Sequence, residues 1–417
     1  MGTLLGDADV WDDTPARPRP ARRGLAALSA GLAVGLAVGW AVAPRPAPPV
    51  PVVTVPAARS AAPVPDRGGP VVEQATLAGP MLVTGLGRIE EVEPDGSEGR
   101  VVGPGFPAVA VLPAHGRTPL VALGGDAVVT IDRSGTGRTI TPDGFRARGV
   151  AGRGARVLAC GRRPLPPEAR LAAQAAGRDE TRSVPALLLG VEGGGATEVA
   201  MACPVAWAAG SDVIAGAGSE QVPFRSTTRG SSVLAGRPGG PPATLLTRAQ
   251  LEQASGPGAA VGAVAVSPDG SLVAAAAGAA GGPWAVLLAG VHPGKLVRIA
   301  VAPGYEVAWL GFDRRGGRLA IAAVDRRGGL AEQNLANRAG DGYVLGYDPA
   351  GRTAAVLLAG EAMERADGFG FSPDGLVFAV SSPRGWTMLS TLSTSQLADR
   401  ATAPVSGTLL AWPGTSG

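Results

Sequence analysis

Ala263 to Gly278, AVAVSPDGSLVAAAAG, reads as an apolar run, a Pro-Asp-Gly turn and a second apolar run. Proline presets φ at the turn's first corner and glycine accepts the positive φ that ends it, so the runs fold back as a hairpin. A lone hairpin is barely stable in water, so its recurrences decide the architecture. Variants are VAVLPAHGRTPLVALG (109–124), ARGVAGRGARVLACG (147–161), VAWAAGSDVIAGAG (205–218), VAWLGFDRRGGRLAIAAV (307–324) and GFGFSPDGLVFAVSS (368–382). A seventh is split: TLLAWPG (408–414) near the C-terminus supplies one half and MLVTGLG (81–87) the other.

Most copies are followed by two further strand-like runs, such as WAVLLAGV (284–291) and KLVRIAVA (295–302). Four short strands in every ~40–60 residues mark the blades of a β-propeller. The expected fold is therefore all-β, a seven-bladed propeller, with six or eight blades as the neighbouring counts. The 64 glycines and 38 prolines then serve as turn punctuation between apolar strands. The split copy would latch the ring, because a last strand joining the first blade leaves no sheet edge exposed.

The segments VSPDGSLVAAA (266–276) and FSPDGLVFAVSS (371–382) resemble the Pro-Asp-Gly repeats of TolB-type and WD-repeat-like bacterial propellers, although the Trp-Asp pair of true WD repeats is absent. The resemblance spans roughly residues 70–417. A short tail, one membrane helix and such a propeller also resemble membrane-anchored sensor or anti-sigma-like proteins of GC-rich bacteria. Fold alone does not assign function.

Ahead of the repeats, Leu25 to Ala43 is an uncharged, mostly apolar run, preceded by Arg17, Arg19, Arg22 and Arg23. As a helix it spans roughly 28 Å, close to the hydrocarbon core of a bilayer. The arginines place the N-terminus in the cytoplasm and the bulk of the chain outside. Cleavage after Ala41-Val42-Ala43 is the rival expectation, opposed by Pro44 and by the length of the run. Gly31, Gly35 and Gly39 leave one helix face bare, which would suit a second copy. The expected organisation is a cytoplasmic tail over 1–23, a transmembrane helix over 24–43, a Pro-rich linker over 44–69 and the propeller over 70–417. Trp11 and Leu5 in the tail are candidate contacts for a cytoplasmic partner, against the plainer expectation of a disordered tail.

Within a blade, strands run a to d from the centre outward, so b–c and d–a connections share one face. Three long insertions fall at b–c: 162–183, 219–230 and 325–341. Insertions gathered on one face often mark a binding surface. Candidate contacts for a protein or envelope ligand are Arg162, Arg163, Arg170, Phe224, Arg225, Gln333, Asn334, Asn337 and Arg338; solvated loop decoration is the competing expectation. Cys160 and Cys203, the two cysteines, fall at this end of neighbouring blades. A disulfide is expected in an exported chain, with buried free thiols as the alternative.

Catalytic signals are sparse. His115 and His292 sit in separate turns, and no HExxH, Walker or GxSxG motif occurs. No metal, cofactor or catalytic residue is assigned. Beyond residue 66 the basic and acidic groups nearly balance, which argues against a nucleic-acid groove. The leading expectation is a membrane-anchored binding or sensing module outside the cytoplasm, with a relay to a cytoplasmic partner as its extension. A TolB-like envelope scaffold and a propeller hydrolase or lactonase, using channel carboxylates with His115 or His292, are the other two.

Overall fold

Seven sheets, each built on four antiparallel strands in the order a-b-c-d, account for the repeats. Blade 1 joins Thr408–Ala411 as strand a to Met81–Gly85, Arg88–Val92 and Arg100–Gly103. Blade 2 is Ala110–Pro113, Leu120–Gly124, Ala127–Ile131 and Gly137–Thr139. Blade 3 is Arg146–Arg153, Arg156–Pro164, Thr181–Gly190 and Thr197–Val199. Blade 4 is Ala202–Trp207, Ile214–Gly218, Ser232–Gly236 and Ala243–Leu246. Blade 5 is Ala260–Val266, Leu272–Gly278, Trp284–Gly290 and Leu296–Ala300. Blade 6 is Tyr305–Phe312, Leu319–Asp325, Gly342–Asp348 and Thr353–Gly360. Blade 7 is Gly368–Phe371, Val377–Ser382, Gly385–Ser390 and Arg400–Ala403. Every a strand contacts the a strands of both neighbouring blades, so the sheets close into a seven-bladed β-propeller.

This is a computed structural model, and it describes residues 52–53, 75, 78–85, 87–97, 99–103, 105, 108–113, 120–177, 180–218, 232–279, 282–291, 296–325, 342–360, 363, 366–382, 385–390, 400–403 and 408–412. Among the described residues, no helix is long and apolar enough to cross a membrane. The apolar run Leu25 to Ala43, the tail before it and both histidines lie outside the described residues.

The core lies between blades. Among the described residues, seven buried clusters each join two adjacent blades. Side chains along a strand point alternately to its two sides, so a central strand feeds two clusters. In Leu272–Gly278, Val273, Ala275 and Ala277 pack toward blade 4, whereas Ala274 and Ala276 pack toward blade 6. Burial on both sides is why the b strands read as unbroken apolar runs.

The tight a–b turns are built by local hydrogen bonds. Asp269 Oδ1 accepts from Ser267 Oγ (2.6 Å) and from the Ser271 N–H (3.0 Å), while Ser267 Oγ accepts from the Leu272 N–H (2.9 Å). The turn at Ser372 repeats this set with Asp374, Leu376 and Val377. Asp313 stands where those turns have serine, and its Oδ1 accepts the Gly317 N–H (2.8 Å). These turns also meet: the Gly210 N–H donates to the Pro268 carbonyl (2.8 Å) in the next blade.

The latch joins three parts of the chain. Val83 pairs with Leu409 and Thr84 with Thr408. Trp412 Nε1 donates to the Gly79 carbonyl (2.9 Å), and Thr408 Oγ1 donates to Asp367 Oδ2 (2.8 Å) beside blade 7. Ser381 Oγ donates to Asp367 Oδ1 (2.7 Å) and accepts the Leu409 N–H (2.9 Å).

One feature departs from a simple spacer. Val52–Val53, inside the Pro-rich stretch, forms a short strand parallel to Leu296–Ala300 and adds a fifth strand to blade 5. Proline-flanked extended backbone is already shaped for an outer edge, which is where such segments can pair.

Candidate functional site

The b–c end of the ring carries most of the structure added to the blades. The first insertion is not a loop throughout. Strands b and c of blade 3 run on past the expected hairpin end, pairing Arg162 with Ser183, Arg163 with Arg182 and Pro164 with Thr181. Arg162 and Arg163, expected in a loop, therefore lie in strand b. Between the extended strands sits helix α1, Pro167–Ala175, with proline in its first turn and Glu168 at its positive end. Its alanines and Leu171 are good helix formers, which is why the stretch folds as it does. Arg170 is exposed on α1.

A second helix on this end was not expected from the sequence. Helix α2, Arg248–Ser255, occupies the d–a connection from blade 4 to blade 5. Thr247 Oγ1 accepts the Gln250 N–H, and Gln250 Oε1 accepts the Thr247 N–H, a reciprocal cap. Leu251 is fully buried against blades 4 and 5, and Arg298 Nε and Nη2 both donate to the Ala254 carbonyl at the helix end. The Thr-x-x-Gln spacing was the available signal.

The intervals 219–230 and 326–341 also lie between b and c strands, since they follow Ile214–Gly218 and Leu319–Asp325. Phe224, Arg225, Gln333, Asn334, Asn337 and Arg338 fall in them and lie outside the described residues.

Cys160 in strand b of blade 3 and Cys203 in strand a of blade 4 are joined by a disulfide, with Cα atoms 5.2 Å apart. Gly149, paired with Cys160 in strand a of blade 3, leaves the room: a Cβ there would sit 3.0 Å from Cys160 Sγ. The bond ties two blades beneath the extended strands.

Around this point arginines collect. Arg146 opens strand a of blade 3 directly across from Arg162, and Arg163 faces Arg182 on the other flank. Arg148 is paired with Asp126 of blade 2 at 3.2 Å. Glu180 Oε1 accepts from Gln174 Nε2 on α1 (2.6 Å). Arg162 is engaged as well. Arg163 Nε is buried and has no hydrogen-bond partner.

The a strands around the axis are mostly small or apolar. Their described charged side chains are Arg146, Arg148, Arg153 and Glu306, with Asp367 just before strand a of blade 7 and turned to the latch. Among the described residues, no three His, Cys, Asp or Glu side chains group as metal ligands.

No protein-family model and no curated protein matches the chain. Solved structures are similar in fold. Hydrazine synthase of Kuenenia stuttgartiensis is 14% identical over 72% of this chain and 87% of that one, with a TM-score of 0.48. A putative 6-phosphogluconolactonase of Bacteroides uniformis is 14% identical over 78% and 97%, TM-score 0.47. A putative TolB of Agrobacterium tumefaciens is 15% identical over 67% and 91%, TM-score 0.42.

Proposed function

We propose that the protein is a single-pass membrane protein whose propeller lies outside the cytoplasm and works as a binding or sensing module, not as an enzyme. The observation that carries this reading is the one-sided elaboration of the ring: α1, α2 and two further b–c intervals all belong to one end. The a–b turns of blades 4 to 7 at the other end are short and packed on one another, so they offer little to a ligand. Export is supported by the Cys160–Cys203 bond, since disulfides persist in oxidising compartments. Anchoring is supported by the hydropathy of Leu25 to Ala43 and the arginines before it. A binding role in preference to hydrolysis is supported by the scarcity of carboxylates on the described a strands. A relay to a cytoplasmic partner through Met1 to Arg23 completes the proposal.

Protease added to intact spheroplasts provides the test. The propeller should be digested from outside while an epitope placed on the N-terminal tail stays protected. Protection of the propeller would overturn the topology. Retrieval of no cytoplasmic protein by the tail would remove the relay and leave an anchored binding module.

A further inference from the structure

We propose that the b–c end of blade 3 binds an oligoanion, a ligand carrying several carboxylate or phosphate groups, through the facing pair Arg163 and Arg182, with Arg170 exposed on α1 at the same end. The proposal rests on the reading of this end as the binding face and names the ligand chemistry.

Two consecutive rows of the sheet hold arginine against arginine. Arg162 pairs across to Arg146, and Arg163 pairs across to Arg182. Residues directly opposite leave the sheet on the same side, and successive rows leave on opposite sides, so each side carries an arginine pair. Like charges facing each other across strands destabilise a sheet. Arg162 is engaged, but on the other side Arg163 and Arg182 form no ion pair among the described residues. Asp126 is paired with Arg148, and Glu180 accepts a hydrogen bond from Gln174.

Arg163 sharpens the point. Its Nε is shielded from water yet donates to nothing. A buried donor on a permanently charged group is costly to leave unmade, and such groups in native proteins ordinarily have a partner. An oxyanion supplies what is missing, because guanidinium N–H groups match carboxylate and phosphate oxygens in paired geometry. The Cys160–Cys203 bond clamps strand b two residues from Arg162.

The experiment uses the full chain in nanodiscs, titrated with inorganic tripolyphosphate and with trigalacturonate as the phosphate and carboxylate probes. At least one should bind and weaken with added salt. R163Q/R182Q should weaken binding about tenfold or more, the loss expected for charged hydrogen bonds. R237Q, in the c–d turn of blade 4 on the opposite end, should leave it unchanged. R163K/R182K keeps the charge without the fork and serves if the glutamine pair unfolds; it should fall between the two. The probe that binds better identifies the anion. Binding of neither probe, or equal binding by all variants, overturns the proposal. A photo-crosslinker replacing Arg170 then separates the two readings. Adducts in cells would keep the binding face with a different ligand, and their absence would remove both.

Discussion

Gly270 and Gly304 both adopt positive φ, +77° and +88°, but only Gly270 is crowded. A Cβ on Gly304 would meet nothing within 4 Å, whereas one on Gly270 would collide with Ser211 Oγ and lie 2.7 Å from Val213 Cγ2 of blade 4. Alanine at Gly304 should therefore cost only the left-handed penalty, about 1–2 kcal/mol. At Gly270 overpacking adds to it, for a total of about 3 kcal/mol. Urea midpoints of the two variants measure the difference, and equal shifts would contradict the turn-on-turn packing. Asp269 in the same turn carries a pH dependence. Hydrogen bonds from Ser267 and then from the Ser271 N–H hold its carboxyl below the usual aspartate range. A lowered folded pKa contributes stability that is present above the unfolded value and lost as pH falls through the folded one. Wild type should accordingly lose stability below about pH 4, and Asp269→Asn should lose less over that window. Parallel acid titrations of the two proteins would show parallel curves if the turn contributes nothing.

At the scale of elements, the Cys160–Cys203 bond ties blade 3 to blade 4 across 43 residues of chain. Closing a loop of that length restricts the unfolded chain and stabilises the fold by about 4 kcal/mol. The C160S/C203S protein should melt correspondingly lower than the oxidised one, and reduction of wild type should reproduce the drop. An unchanged melting temperature would mean that packing alone holds the two blades. Part of this region was legible in the sequence: the hairpin of blade 3 and the insertion that follows both stand out. The extension of its strands did not, because Arg162, Arg163, Arg182 and Ser183 are polar and break the apolar pattern by which a strand is recognised. Their pairing is sustained by the neighbouring ladder, and a register shift near Cys160 and Gly161 changes the alternation at that point. Helix α2 escaped for a related reason. Its apolar stripe is narrow, and what stabilises it is Leu251 packing on two blades, a long-range contact.

For the molecule as a whole, closure is the decisive event. Removing the chain from Thr408 onward would strip strand a from blade 1, leave Met81–Gly85 as an open edge, and deprive Asp367 of a donor. The truncated protein should aggregate and lose its cooperative melt, as size-exclusion chromatography and calorimetry would reveal. Trp412→Ala is the milder version. Trp412 is only 5% exposed and donates to the Gly79 carbonyl, so the variant should lose about 3–5 kcal/mol while keeping the ring. A truncated chain that melts like wild type would show that the ring does not depend on its latch.

Read alone, the amino-acid sequence determined the hairpin repeat, its order along the chain and the strand that would close the ring, with six or eight blades still open beside seven, because apolar alternation and turn chemistry are local properties written within a few residues. It also determined which connections are long and therefore which end of the ring is elaborated. Tertiary structure decided what meets across blades: the bond between Cys160 and Cys203, the arginine pairs at the end of blade 3, and the seating of Val52–Val53 on blade 5. Those contacts bring together residues up to hundreds of positions apart, and their energies depend on burial and register, which exist only once the sheets have packed.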